Sequence, residues 1–281
     1  MNKFLDKINE AKKDNTIIVS FLSYNYFPVF ERWYEHFKKH NLNNLFIFSL
    51  DSETKEKLTS IGVKTDLIED FHFKEDSGHS AMGLLERKRP LWKVRVKLFK
   101  EIINNGTNLI ATDLDAFWLK NPISLIDFSF DMVFSSVLNT GQVRNTHQKC
   151  NKETFTLCCG FMFVKASNPS VKILDTWEKY CENKENAKFF DDQIAFNIML
   201  NEHSRTWTQN SDGTHSCVSD DFKITIKTMD YRNAYRAKSI NEKFNFNHLS
   251  VDSDHHHDNI YIYHPFYPDI NIFLNHLRET S

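Results

Sequence analysis

The stretch that most restricts what this chain can fold into runs from Asn108 to Pro122 and reads NLIATDLDAFWLKNP. Asn108 to Thr112 is a short apolar run ending in a hydroxyl, which predicts a strand buried on both faces of a parallel sheet. Asp113 and Asp115 follow at its C-terminal end, where open α/β sheets bind ligands because the loops leave a crevice lined by helix N-termini. Two carboxylates one residue apart repel each other and are costly to desolvate unless a cation lies between them or water reaches both. A divalent metal meets that need. Carboxylate oxygens with open positions suit Mn2+ or Mg2+, whose coordination is usually completed by substrate phosphates, so the pair points to a nucleotide-diphosphate ligand. A D-x-D alone also describes a solvated loop pair. Here a buried strand precedes it, and the apolar Ala116 to Leu119 follows until Lys120-Asn121-Pro122 stops the run.

With 281 residues, 41% of them hydrophobic, the chain can bury one substantial core, and the absence of repeats or Pro/Gly-rich linkers predicts a single domain over 1–281. A formal charge of -2 argues against a nucleic-acid partner or a generic membrane-surface binder. Five cysteines without C-x-x-C or zinc spacing fit reduced thiols. No window approaches a transmembrane segment, and the charged N-terminus is neither signal peptide nor anchor. The chain as it stands reads as cytoplasmic, or lumenal if an anchor has been removed.

Thr16 to Leu22 and Leu45 to Leu50 read as buried strands flanking a helix that carries Phe30, Trp33 and Phe37. This strand-helix-strand start predicts a nucleotide-binding half over 16–122, with 123–281 forming the donor-sugar and acceptor half. Tyr24 and Asp51 sit at the first two strand ends, placed to stack on uracil and to accept from base or ribose; a loop aromatic and a turn-forming Asp are the plainer readings. Phe71 to Pro90, with its charge run Glu86-Arg87-Lys88-Arg89, is expected to be a loop near the donor site, either a lid or a solvated face. Leu91 to Asn104 is an amphipathic helix that Gly106 ends. Further strands are expected at Asp131 to Leu138, Leu157 to Val164 and Lys223 to Thr228, and helices at Asn168 to Glu182 and from Asp191 onward. Acidic residues at a helix start also answer simply to the helix dipole.

The segment TDLDAFWLKNP resembles the metal-binding segment of the nucleotide-diphospho-sugar transferase family. CCGFMFVKAS (Cys158 to Ser167) and DDQIAFN (Asp191 to Asn197) resemble two further family pieces in the right order. The resemblance implies a GT-A fold, an α/β Rossmann-like architecture with a mostly parallel central sheet flanked by helices. It also implies transfer of a sugar from a nucleotide donor, expected to be a UDP-sugar, to a glycan, protein or small-molecule acceptor, with retention of configuration. Asp113-Leu114-Asp115 would contact metal and donor, and a basic residue on the preceding helix, Arg95 or Lys97, would reach the donor. Asp192 would bind donor hydroxyls, and Gln193 would lie near the anomeric carbon.

GT-A enzymes often complete the metal site with a C-terminal histidine, for which His264 is the first choice and His248 the second; His255-His256-His257 reads as exposed loop. Gly160 and Phe161 match the family's Asn-Thr-Gly-Phe, and Gly160 is expected to bind the donor by letting backbone approach it, but Cys158 and Cys159 replace its two polar residues. Cysteine lacks the amide's paired donor and acceptor, a change that bears on donor preference or on activity itself. The substitution keeps open a non-catalytic carbohydrate- or nucleotide-binding protein on the same fold. A nucleotidyltransferase would also cluster carboxylates around a metal, but no Gly-rich phosphate loop lies near Tyr24.

Overall fold

The structure is a computed structural model, and it describes residues 3–68, 81–137, 156–182, 192–203, 205–212, 214–230, 232–236, 244–245, 250–251 and 260–264. In chain order the elements that build the site are α1 (Lys3–Ala11), β1 (Thr16–Leu22), α2 (Phe27–Lys38), β2 (Leu45–Ser49), α3 (Ser52–Ser60), β3 (Thr65–Leu67), α4 (Ala81–Asn104), β4 (Asn108–Thr112), β5 (Phe117–Trp118), β6 (Met132–Val137), β7 (Thr156–Val164), α5 (Asn168–Glu182) and α6 (Asp192–Glu202). Strands β8 (Arg205–Gln209), β9 (His215–Ser219), β10 (Ile224–Thr228) and β11 (Ala234–Arg236) follow, then β12 (Phe244–Asn245), β13 (Ser250–Val251) and β14 (Ile262–His264).

Nine strands form one sheet in the order β3-β2-β1-β4-β7-β6-β10-β9-β8. The pairings make β7 and β9 antiparallel to their neighbours, while the other strands share one direction. The sheet is therefore mixed but mostly parallel, with the C-terminal ends of β1, β2 and β4 opening on one edge. This is the expected α/β architecture. Helix α4 begins at Ala81 and runs through Pro90, so the expected loop over Phe71 to Pro90 is helical backbone in its second half. Its local signals, Gly83, a charge run and Pro90, read as loop, whereas α4 is one continuous element packed against α5 and β4. Residues 71–80 lie outside the described residues. Gly106 just after α4 takes φ +77, the left-handed conformation that glycine adopts without steric cost.

Side chains alternate across the sheet and divide the core into two layers. On β1, Ile18 and Leu22 join the layer built by Phe30, Trp33 and Phe37 of α2, while Ile17 and Val19 join the layer under α4, α5 and α6. Burial on both faces explains the near-continuous apolar runs of β1, β2 and β4. Strand β7 departs from this alternation. Phe134 pairs with Met162 but Ser135 pairs with Cys158, so Cys159, Gly160 and Phe161 are extra chain opposite β6. Ser135 stitches the bulge, its hydroxyl donating to the carbonyls of Cys158 at 3.3 Å and Phe161 at 3.2 Å. Bulges re-aim side chains and cluster beside functional sites, and this one lies against the end of β4. Among the described residues, no helix is long and apolar enough to cross a membrane.

Candidate active site

The two aspartates are held by the apolar chain around them. Leu114 between them is 2% exposed and packs into the α2 layer, which leaves its backbone as the part able to face a ligand. The Asp113 amide donates to the Gly160 carbonyl at 2.8 Å, and the Ala116 amide returns to the Asp113 carbonyl at 3.1 Å. Buried indoles fix the loop from behind: Trp33 Nε1 donates to the Ala116 carbonyl at 3.0 Å and Trp118 Nε1 to the Thr112 hydroxyl at 3.1 Å. With Leu114 anchored inward, both carboxylates turn outward, each about one-third exposed.

A second, three-stranded sheet in the order β11-β14-β5 brings the histidine in. Strand β5 follows the aspartates directly and pairs antiparallel with β14, Trp118 opposite Ile262 and Phe117 opposite Tyr263. Continuing that register carries His264 back toward Asp115, with Nε2 3.3 Å from Asp115 Oδ1. Ligand atoms from Asp113, Asp115 and His264 all lie within 4.8 Å of one another. Two hard carboxylates and one imidazole suit Mn2+ or Mg2+ with positions left for phosphate oxygens, so the donor set fits the expected metal. Burial favours the neutral ring, but the Asp115 carboxylate and the Cys158 sulfur outweigh it and hold His264 at about 10. His248 and His255 to His257 lie outside the described residues.

Helix α4 presents Arg95 and Lys97 in different directions. Arg95 is 8% exposed, its guanidinium 3.3 Å from Asp113 Oδ1 and 3.4 Å from Asp192 Oδ2, and lies over the rings of Phe21 and Phe99. Lys97 is exposed. Of the two candidates, Arg95 lies within the cluster and Lys97 outside it. Asp192 opens α6 and is buried; its carbonyl accepts from Trp177 Nε1 at 2.8 Å. Gln193 follows, its Oε1 accepting from the Cys159 amide at 3.1 Å and from Arg236 at 3.4 Å. Both neighbours are donors, so the amide orientation is fixed and its NH2 is the group left for a ligand. Asn197, also in the DDQIAFN segment, pins α6 to β7 by exchanging two hydrogen bonds with the Leu157 backbone, both at 2.9 Å.

Tyr24 is 39% exposed at the end of β1. Asp51 caps α3 by accepting from the Thr54 amide at 2.7 Å and also accepts from the Tyr24 amide at 2.9 Å, so it shapes the loop that carries Tyr24. Gly160 faces the cluster at the β7 bulge. What comes close to it is the His264 ring, because a Cβ there would lie 2.4 Å from Cε1, 2.7 Å from Nδ1 and 3.3 Å from Asp113 Oδ2.

Two residues that sequence reasoning missed complete the cluster. Tyr26 is half-buried and hydrogen-bonded to Asp115; burial first, then the charges of Asp115 and Asp113, raise its phenol well above the ordinary value. Arg236, the last residue of β11, lies opposite His264 in the β11-β14 pairing and donates to Cys158 Sγ at 3.0 Å. Burial would raise the Cys158 thiol most, but Arg236, His264 and the Gly160 backbone together lower it to about 6. Arg236 itself is raised, chiefly by the Cys158 sulfur. No local signal marks Tyr26 or Arg236; the YNY turn after β1 and an arginine on a short strand are ordinary until the second sheet folds onto the first.

Fold and site define an α/β protein with carboxylates, a histidine and two arginines gathered at the strand ends. Residues 40–267 match the Nucleotide-diphospho-sugar transferase family, and the chain belongs to it. The galactosyltransferase LgtC, solved with donor and acceptor sugar analogs, superposes with a TM-score of 0.51 over 90% of this chain and 88% of its own, at 13% identity, and so shares the fold. The beta-arabinofuranosyltransferase RAY1 of Arabidopsis thaliana is 22% identical over 189 residues, 64% of this chain and 33% of its own length. The UDP-D-xylose:L-fucose alpha-1,3-D-xylosyltransferase MGP4 of the same plant is 20% identical over 246 residues, 75% of this chain and 66% of its own. The chain thus spans one third of the first relative and about two thirds of the second.

Proposed function

We propose that this protein is a metal-dependent glycosyltransferase that moves a sugar, a pentose in the first instance, from a UDP-sugar donor to an acceptor hydroxyl with retention of configuration. The observation that carries this reading is the convergence of Asp113, Asp115 and His264 from two separate sheets onto one point at the strand ends. Family membership supports a nucleotide-sugar donor, and the names of the two plant relatives support a pentosyl group. Asp113, Asp115 and His264 would hold Mn2+ or Mg2+, which when bound supplies Lewis-acid stabilisation of the diphosphate leaving group.

The chain's own groups have distinct tasks. Tyr24 stacks on the uracil, and Asp51 holds the loop that presents it. Arg95 adds positive charge beside Asp113 where diphosphate charge accumulates. Asp192 accepts from donor-sugar hydroxyls, and the Gln193 NH2 donates near the anomeric carbon. No general base is assigned on the acceptor side, which accords with front-face transfer in which the leaving phosphate takes the acceptor proton.

Incubation with Mn2+ and a panel of UDP-sugars, read for donor hydrolysis and for transfer to added sugars, tests the proposal. Asp113→Ala and Asp115→Ala are expected to abolish metal-dependent UDP affinity in calorimetry while the fold persists. The Cys158-Cys159 departure favours one competitor, a binding protein that retains donor without turnover even when acceptors are supplied. Pyrophosphate release from a nucleoside triphosphate would instead mark a nucleotidyltransferase.

A further inference from the structure

The geometry points to Cys158 as a positioning residue of the candidate metal site: its sulfur, backed by Arg236, holds Nδ1 of His264 so that Nε2 is the nitrogen offered to the aspartates. The inference rests on the metal reading above. An imidazole can bind a cation through either nitrogen, and the hydrogen bond made by the other decides which. Here Nε2 lies 3.3 Å from Asp115 Oδ1, while Nδ1 lies 3.6 Å from Cys158 Sγ.

Arg236 Nη1 donates to the same sulfur at 3.0 Å and reaches Gln193 Oε1 at 3.4 Å. Arginine has no acceptor, so the sulfur accepts from Arg236 and can accept a ring Nδ1–H as well. A cation that takes Nε2 in place of its proton then leaves a ring whose one remaining proton, on Nδ1, has the sulfur as its acceptor. The missing Cβ of Gly160 is what lets the ring lie in this plane.

Cys158 is 1% exposed, and its sulfur is taken up by Arg236 and His264. Where the family resemblance expects a sugar-facing amide, this chain has a support for the histidine. One run of contacts, Asp115 to His264 to Cys158 to Arg236 to Gln193, thereby joins the metal ligands to the glutamine proposed to lie near the anomeric carbon.

The test is Mn2+ affinity of the full chain by calorimetry, with thermal melting as a check on folding. Cys158→Ala is expected to weaken Mn2+ binding roughly ten- to a hundred-fold, the usual effect of removing a support behind a metal-bound histidine. Cys158→Ser, whose hydroxyl still accepts from Nδ1–H, should restore affinity to within a few-fold. With Mg2+ bound, 15N spectra should place the His264 proton on Nδ1 in the native and Ser chains and distribute it in the Ala chain.

Equal affinity losses in Ser and Ala would reduce Cys158 to packing and overturn the inference. So would unchanged affinity in Cys158→Ala while Asp115→Ala abolishes binding, an outcome that leaves the metal reading standing. Absence of Mn2+ binding in the native chain, or binding indifferent to Asp115→Ala, overturns both. Should Cys158→Ala fail to fold, Arg236→Met removes the backing cation instead, and undiminished Mn2+ affinity there has the same overturning force.

Discussion

Gly160 and His264 pack so closely that a methyl group on Gly160 would lie 2.4 Å from the imidazole Cε1. Neither real Cβ atoms nor an imidazole held between Asp115 and Cys158 can accommodate that approach, so one of them must move. Gly160→Ala is therefore expected to swing His264 out of the cluster and lower Mn2+-dependent UDP affinity at least about ten-fold, at a stability cost of about 1–3 kcal/mol. Calorimetry beside thermal melting separates the two effects. Undisturbed Mn2+ binding would show that the histidine is not a ligand.

Arg95 and Lys97 lie two residues apart on α4 and should behave oppositely. Arg95→Met removes the guanidinium that pairs with the buried Asp192 carboxylate and is expected to cost about 3 kcal/mol in urea unfolding, along with donor affinity. The exposed Lys97→Met should change stability by no more than about 0.5 kcal/mol. Comparable losses in the two variants would contradict the placement of Arg95.

Asp192→Asn keeps the side-chain shape and removes the charge. If Asp192 binds donor hydroxyls in the transition state, kcat should fall by about two orders of magnitude while UDP affinity holds within about three-fold. Parallel losses in both would assign Asp192 to capping α6 and pairing with Arg95.

His36, on the buried face of α2, supplies a pH signature remote from the site. Burial first, then the charges of Lys39 and Arg32, lower it to about 4. The unfolded chain takes up this proton near pH 6.5, whereas the folded chain resists until about 4. The contribution is thus full at neutral pH and lost as pH falls through that window. Between pH 7 and 5 it amounts to about 2 kcal/mol. Urea unfolding of His36→Gln at the two pH values should show a correspondingly smaller difference than the native chain; an identical difference would place the dependence elsewhere.

Much of this architecture is written locally. Thr16–Leu22 and Asn108–Thr112 are apolar runs bounded by polar residues, and Asn168–Glu182 opens on Asn-Pro, so each element was legible with its ends. The beginning of α4 was not, because its glycine, charge run and proline resemble a loop, whereas the backbone runs as one helix from Ala81 to Asn104. Tyr26 and Arg236 carried no local signal at all, since each matters only through groups distant in sequence.

By itself, the sequence determined the buried strand and the acidic pair at its end, because burial periodicity and one-residue spacing are properties of neighbouring residues. Only the tertiary structure decided that Arg95 rather than Lys97 turns inward, and that Cys158 stands behind a histidine 106 residues away. Those outcomes depend on the pairing of β5 with β14 and on the bulge in β7, and a contact across such a separation exists only once the two sheets have closed on each other.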